Sequence, residues 1–244
     1  MSHPEDPRTF FGRHHQDYVT SHRHAKGEDL SWLIEGLHPE AGQHAIDIAT
    51  GGGHTALRLA EQGVLVTALD ITPEMLREVE KAAAARHLVI QTALADAEQL
   101  PFADNSLDLA ACRRAAHHFR RIPVFLEEVQ RVLKPGGRLG ISDMTASQAG
   151  KPWLNHLEQL RDPSHHEAWS PDEWYQGLVE VGFHDIIIQL TEEPLAYTDW
   201  LAPVSPQSPE GRASLDFMAQ EDAPQELVRG PLFIKRRILI WAQA

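Results

Sequence analysis

Ala45-Ile46-Asp47-Ile48-Ala49-Thr50-Gly51-Gly52-Gly53-His54-Thr55 is a short apolar run that ends in a glycine-rich turn and passes at once into a helix-forming stretch. A buried strand, a glycine loop and a helix in that order form the opening unit of a parallel α/β sheet. Glycines let the backbone take positive φ and approach a ligand closely. The helix that follows turns free N–H groups towards an anionic or polar ligand group. Taken alone, the unit fits more than one cofactor. Gly51-x-Gly53-x-x-Ala56 matches the dinucleotide fingerprint, and Asp70 lies at about the distance expected for a ribose-binding acid. Asp47 is the discriminator. An ionised carboxylate two residues into a buried strand is costly unless it is paired. It is paired if it faces a ligand ammonium, directly or through water and turn amides, whereas a pyrophosphate would be repelled. The reading tips away from a dinucleotide.

Outward from this unit, β-rich runs alternate with helical patterns. Strands are expected at about 45–49, 64–70, 88–94, 107–112 and 137–143, with helices at about 54–62, 73–85 and 120–133. Pro73 suits the first turn of the second helix, with Thr72 as its N-cap. Lys134-Pro135-Gly136-Gly137 stops the third helix and turns the chain into the next strand. After Asp143 come helical stretches at about 152–162 and 171–181, a strand at about 183–190, a proline-rich segment, and a last strand at about 232–242. A late hairpin whose strands flank an insertion fits the antiparallel end of a seven-stranded sheet.

The expected fold is therefore α/β: a Rossmann-like, seven-stranded, mostly parallel sheet with helices on both faces and helical lid segments. Residues 1–43, with Phe10, Phe11, Tyr18, Trp32 and Leu33, read as an N-terminal helical lid over the site. Residues 44–146 are the ligand-binding core, and 147–244 the C-terminal part of the sheet with helical lid insertions.

A chain of 244 residues suits one sizeable core. Its formal charge of −13 argues against nucleic acid, which calls for a basic face. The one dense basic run, Lys235-Arg236-Arg237, lies inside a strand-like segment. The longest apolar stretches are strand-sized, so no membrane span is expected, and the acidic N-terminus does not resemble a secretory signal, which favours the cytoplasm. Cys112 is the single cysteine, which excludes an intramolecular disulfide and a cysteine-based metal cluster. His14-His15, His22-x-His24 and His165-His166 lack acidic or cysteine ligands at recognisable spacing, so no metal is expected.

Four stretches carry a family resemblance. These are Asp47-Ile-Ala-Thr-Gly51-Gly-Gly53-His-Thr-Ala, Leu69-Asp70-Ile71-Thr72-Pro73-Glu74-Met75-Leu76, Asp96-Ala97-Glu98-Gln99-Leu100-Pro101-Phe102, and Arg131-Val132-Leu133-Lys134-Pro135-Gly136-Gly137. In this order and spacing, over roughly residues 44–146, the chain resembles the class I methyltransferases dependent on S-adenosylmethionine (SAM). Within them it resembles the group that includes the ubiquinone/menaquinone C-methyltransferases (methyltransferase type 11). Ala49 departs from the pattern, because many relatives have the first glycine of the loop there.

The resemblance implies SAM as cofactor and a role for each matching residue. Asp47 and the amides of Ala49 to Gly53, Gly51 included, would hold the methionine moiety. Asp70 would accept from both ribose hydroxyls, and Ile71 would pack on the adenine face. Asp96, with the Ala97 amide, would read the adenine edge, and Arg113 would sit near the methionine end. Arg113 and Arg114 point to opposite faces if extended, which makes one of them structural.

His117 and His118 follow the fourth strand, on the rim where doubly wound sheets bind ligands, and are the candidate general bases. The expected activity is methyl transfer by in-line displacement to oxygen or carbon of a small organic acceptor. The aromatic content of the lid segments (Trp153, Trp169, Trp174, Trp200) suits a flat acceptor, aromatic, quinone-like or polyketide-like, although these residues equally fit a lid core. A homo-oligomer is compatible with the sequence. The competing readings are a SAM-binding regulatory protein of the same fold that transfers nothing, and an NAD-linked oxidoreductase.

Overall fold

Strand β1 (His44–Ile48) pairs in parallel with β2 (Leu65–Asp70) on one side and β4 (Leu107–Arg113) on the other. Its central place follows from its sequence, since every residue after His44 is buried. A strand covered on both faces reads as a continuous apolar run. Parallel pairing continues to β3 (Ile90–Leu94) outside β2 and to β5 (Leu133–Met144) outside β4. Beyond β5, β8 (Leu232–Gln243) runs antiparallel, and β6 (His184–Ala196) closes that edge. The order is β3-β2-β1-β4-β5-β8-β6.

The computed structural model describes residues 5–6, 8–9, 27–202, 204–219 and 222–244. Among them the sheet has eight strands, not the expected seven. The extra one is β7 (Val228–Arg229), which folds back on Leu232 and Phe233 through Gly230 at φ 60. A two-residue strand has no periodicity of its own, which is why the sequence does not announce it. Among the described residues, no helix is long and apolar enough to cross a membrane.

Alternation along the strands feeds two cores. Ala45, Ala68, Leu109 and Ala111 face α1 (Glu28–Leu37), α2 (His54–Ala60) and α3 (Pro73–Ala85). Ile46, Ile48, Ala110 and Cys112 face α4 (Ile122–Val132) and α6 (Pro171–Glu180). Helix α4 shows why: Ile122, Phe125, Leu126, Val129 and Val132 recur at helical spacing and are all buried. A third cluster ties α5 (Lys151–Arg161), α7 (Tyr197–Leu201) and α8 (Pro209–Met218) to the start of β8 through Leu157, Trp200, Met218 and Phe233.

Three local expectations change. Thr72 stands at the N-cap of α3, but its side chain makes no cap bond. Lys134 to Gly137 do not merely precede β5. They form an excursion within it, between the pairs Leu107↔Leu133 and Leu109↔Arg138, with Gly136 at φ 80. Helix α1 is clamped to the sheet, with Leu33 and Leu37 pressed onto Gly140, where an added Cβ would lie 2.9 Å from each. Trp241 Nε1 donates to the Leu33 carbonyl at 3.2 Å, so Trp32 and Leu33 belong to a helix on the sheet. Phe10, Phe11, Tyr18, His14-His15 and His22-x-His24 lie outside the described residues.

Candidate active site

The loop after β1 owes its shape to three left-handed residues at alternate positions. Ala49, Gly51 and Gly53 have φ of 53, 51 and 78. Gly51 faces the open cleft, and a Cβ there would meet nothing within 4 Å. Gly53 serves packing instead, because a Cβ would come within 2.9 Å of Val79 Cγ2 on α3. Gly53 does not line the cleft, whereas Ala49 and Gly51 do. Ala49 holds a conformation that costs an L-residue about 1–2 kcal/mol.

Two buried carboxylates bracket this loop. Asp47 Oδ2 accepts from Thr50 Oγ1 at 2.6 Å and from the Ala56 amide at 2.9 Å. Among the described residues, Asp47 Oδ1 has no hydrogen-bond donor, and the residue lines the cleft. Burial pushes this carboxyl up to about 7, against the opposing pull of the Thr50 and Ala56 bonds. Asp70, at the end of β2, accepts from the Gly51 amide with Oδ2 and from the Thr72 amide with Oδ1, each at 2.9 Å. Burial raises its pKa also, and those two amides oppose the shift. Each Asp70 oxygen keeps lone pairs for a further donor.

The far wall of the cleft is Ile71, Met75, Asp96 and Ala97. Asp96 Oδ1 accepts from the Glu98 amide at 2.9 Å, and Arg8 approaches Oδ2 at 4.0 Å. Asp6, 3.6 Å from Arg120, and Arg8 also line the cleft, so the described part of the N-terminal segment lies against it. The cleft holds about 1260 Å³ of empty space counted to its open mouth.

The opposite rim, beyond β4 and β5, is built differently. Arg113 and Arg114 both clasp Asp29, at the start of α1, with Nε and Nη2 bonds of 2.6–3.0 Å. Alternation predicts opposite faces for the two arginines, but Arg114 takes φ 58 and swings back beside Arg113. Ser142 Oγ donates to the same carboxylate at 3.1 Å. Burial would raise the Asp29 pKa, yet the two guanidiniums hold it well below the usual carboxylate range.

The histidines separate at the same rim. His118 lines the cleft and His117 does not. His117 Nδ1 lies 2.5 Å from Asp143 Oδ1, and its amide donates to Asp143 Oδ2 at 3.1 Å. Burial would raise Asp143, but His117 lowers it. His118 Nδ1 lies 3.1 Å from both the carbonyl and the Oγ of Ser164, whose hydroxyl donates to Asp162 at 2.6 Å. That arrangement leaves Nδ1–H as the donor and puts the lone pair on Nε2. Burial and the adjacent His117 ring hold the His118 pKa well below 6.5. His165 packs 5.5 Å from the His117 ring, and among the described residues no three His, Cys, Asp or Glu side chains gather as a metal site.

Of the residues singled out from the sequence, Asp47, Ala49, Gly51, Asp70, Ile71, Asp96, Ala97, Arg113 and His118 meet in one cleft. The tryptophans do not join them. Trp174 and Trp200 are fully buried, Trp153 stacks on Phe217, and Trp169 stands edge-on to Trp174. Asp29, Asp143 and His54 escape the sequence reading. Asp143 carried a signal of the same kind as Asp47, a carboxylate at the end of an apolar strand, while Asp29 reads only as an acidic first-turn residue. His54 lines the cleft with Nε2 buried and unpartnered, and burial lowers it to about 4.

Comparison with known proteins follows the same outline. Residues 46–141 match the methyltransferase domain family. YcgJ of Bacillus subtilis, described as an uncharacterized methyltransferase, is 33% identical over 198 residues, which are 79% of this chain and 78% of that protein. Its crystal structure superposes with a TM-score of 0.82, covering 89% of this chain and 98% of that one. YafE of Escherichia coli, an uncharacterized protein, is 34% identical over 72% of this chain and 85% of its own length. The ubiquinone/menaquinone biosynthesis C-methyltransferase UbiE of Paracoccus denitrificans is 39% identical over 56% of this chain and 54% of that protein.

Proposed function

The chain belongs to the methyltransferase domain family and is a SAM-dependent methyltransferase, and from that premise we propose that it methylates oxygen or carbon of a small organic acceptor. The observation that carries the assignment of the cleft to SAM is the Asp47 carboxylate. One of its oxygens is fixed by Thr50 and Ala56, and the other is open to the cleft, which fits an ammonium and not a pyrophosphate. The open space at Gly51 lets a ligand lie directly on the loop backbone. Asp70 has acceptor capacity left for a ribose diol. Asp96 and the Ala97 amide would read an adenine edge over the Ile71 side chain.

When bound, SAM supplies a sulfonium methyl primed for displacement by a nucleophile in line with the S–CH₃ bond. The chain's task is to hold, orient and dry the site. Arg113 and Arg114, immobilised on Asp29, wall off the cleft on the β4 side. His118, neutral and with its lone pair on Nε2, takes the proton that a hydroxyl or activated carbon sheds as it attacks. Its low basicity suits an acceptor that is itself acidic, and UbiE, a C-methyltransferase by name, supports carbon as one target. His117, fixed by Asp143, positions the His118 ring 4.1 Å away. The described N-terminal residues and the insertion between β5 and β8 would close over the acceptor.

Calorimetric titration tests the reading. SAM and S-adenosylhomocysteine (SAH) are expected to bind, and NAD is not. Binding of NAD without SAM would overturn it.

A further inference from the structure

The basic run Lys235-Arg236-Arg237 does not line the cofactor cleft, yet it lies on the ligand rim. Arg237 pairs with Met144, the last residue of β5, and Lys235 stands two residues further out. Arg237 is thus level with the end of β5 and Lys235 lies past it, both still paired with β6, on the rim where open α/β sheets place their ligands. The three cations are treated unequally. Arg236 is ion-paired with Glu192 and Glu226. Lys235 and Arg237, alternate residues sharing the other face of β8, have no side-chain hydrogen bond or ion pair among the described residues.

Arg237 is only 7% exposed. A buried cation without a partner is costly, and folded proteins rarely keep one without a use. The carboxylates nearby are already engaged: Asp29 by Arg113 and Arg114, Glu158 by Arg161, and Asp143 by His117. Burial and then Arg114 pull Arg237 down to about 10. Burial, with Arg237, Arg161 and Arg114 adding to it, takes Lys235 well below its usual range. Arg114, whose charge acts on both Lys235 and Arg237, also lines the cofactor cleft, and that ties this positive region to the wall of the cleft.

We infer that Lys235 and Arg237 form an oxyanion subsite that holds a carboxylate or phosphate group of the methyl acceptor. The inference rests on the methyltransferase reading and narrows its acceptor to an anionic one. The arginine fork matches either group in two-point fashion, and the ammonium adds a point charge on the same face.

The test needs no turnover. The full chain saturated with SAH is melted in rising sodium phosphate or sodium benzoate, against sodium chloride at equal ionic strength to remove surface screening. A saturable rise in Tm is expected with at least one of the two anions, and which one identifies the group. Lys235→Met and Arg237→Met, each checked for retained SAH binding, should weaken that effect at least tenfold. Without anion, each should melt no lower than the wild type, because an unpaired buried charge is gone. The inference is overturned if neither anion stabilises the wild type beyond chloride, or if both variants respond as the wild type does. Failure of the wild type to bind SAH would instead overturn the methyltransferase reading.

Discussion

The two sides of the cleft are made of different chemistry and assembled over different distances along the chain. On the β1–β2 side, the contacts join close neighbours: Thr50 and Ala56 to Asp47, Thr72 to Asp70, and Gly51 to Asp70 at a separation of 19 residues. Its carboxylates stand above their usual pKa and are held by hydrogen-bond donors, not by cations. On the β4–β5–β8 side, Arg113 reaches 84 residues to Asp29, His117 reaches 26 to Asp143, and His118 reaches 46 to Ser164. There the carboxylates are pulled below their usual range by arginine and histidine. The first side leaves acceptor capacity on Asp47 and Asp70 turned to the cleft. The second compensates its own charges, except at Lys235 and Arg237. A donor that never changes can be read by a local motif, while an acceptor particular to one enzyme calls for side chains recruited from across the fold.

The largest expected effect separates the two histidines. His118→Gln should lower turnover about a hundredfold or more while SAM affinity stays nearly intact, as expected for loss of a general base. Its acid limb in the wild-type pH–rate profile should lie well below pH 6.5, because the folded site disfavours the imidazolium. His117→Ala should act first on stability. It removes the ring from the buried Asp143 carboxylate, which keeps the residue-117 and Met144 amides as donors, at a cost of about 1–3 kcal/mol in denaturant unfolding. Near-normal turnover in His118→Gln with the true acceptor would assign the chemistry to proximity alone.

The β1–β2 side should respond to pH through Asp47. With its carboxyl at about 7 in the free protein, only the ionised form meets a ligand ammonium, so SAM affinity should fall up to about tenfold per pH unit below 7. Binding at pH 6 should then release close to one proton, read by calorimetry in buffers of different ionisation enthalpy. The stability effect has the opposite sense. A raised carboxyl pKa favours the free fold below about pH 4, and that contribution is lost as pH rises through 7. Ligand-induced gain in Tm should therefore widen with pH. An Asp47→Asn variant that keeps the proton release would remove Asp47 from the site.

Asp70→Ala should weaken SAM binding tenfold or more, since two charge-assisted hydrogen bonds are worth about 1.5–3 kcal/mol each. The family resemblance gives Asp70 a role towards the ligand. The structure adds that it also ties the Gly51 and Thr72 amides, so alanine should cost the free protein about 1–3 kcal/mol as well. Equal loss of stability with unchanged SAM affinity would make it a loop anchor only.

What could be read in advance follows the same division. Helix α3 begins at Pro73 and ends at Ala85, as its proline and periodicity indicate, and the parallel strands fall within a few residues of their expected bounds. The glycine loop, Asp47 and Asp70 were legible because chain neighbours build them. The face of Arg114 was not, since one left-handed residue reverses the alternation on which the inference depends. Nor was the different placement of His117 and His118, which are held by Asp143 and Ser164 on distant segments. Lys235-Arg236-Arg237 was visible as a run, but only pairing with β5 and β6 shows which of the three is neutralised.

The smallest effect concerns the one residue where this loop departs from the glycine common among its relatives. Ala49 sits at φ 53, a left-handed conformation that an L-residue holds at a cost of about 1–2 kcal/mol. Ala49→Gly removes that strain. Against it stand the greater freedom of glycine in the unfolded chain, about 0.5–1 kcal/mol, and loss of a methyl packed against the α4–α6 core. The strain is the larger quantity, so the variant should be as stable as the wild type or up to about 1 kcal/mol more so in chemical denaturation. SAM affinity should change little, because what the loop offers a ligand is backbone, and the backbone already has the shape glycine would give it. A loss of more than about 1 kcal/mol would show that the methyl contact outweighs the strain, and that this loop was refitted around alanine.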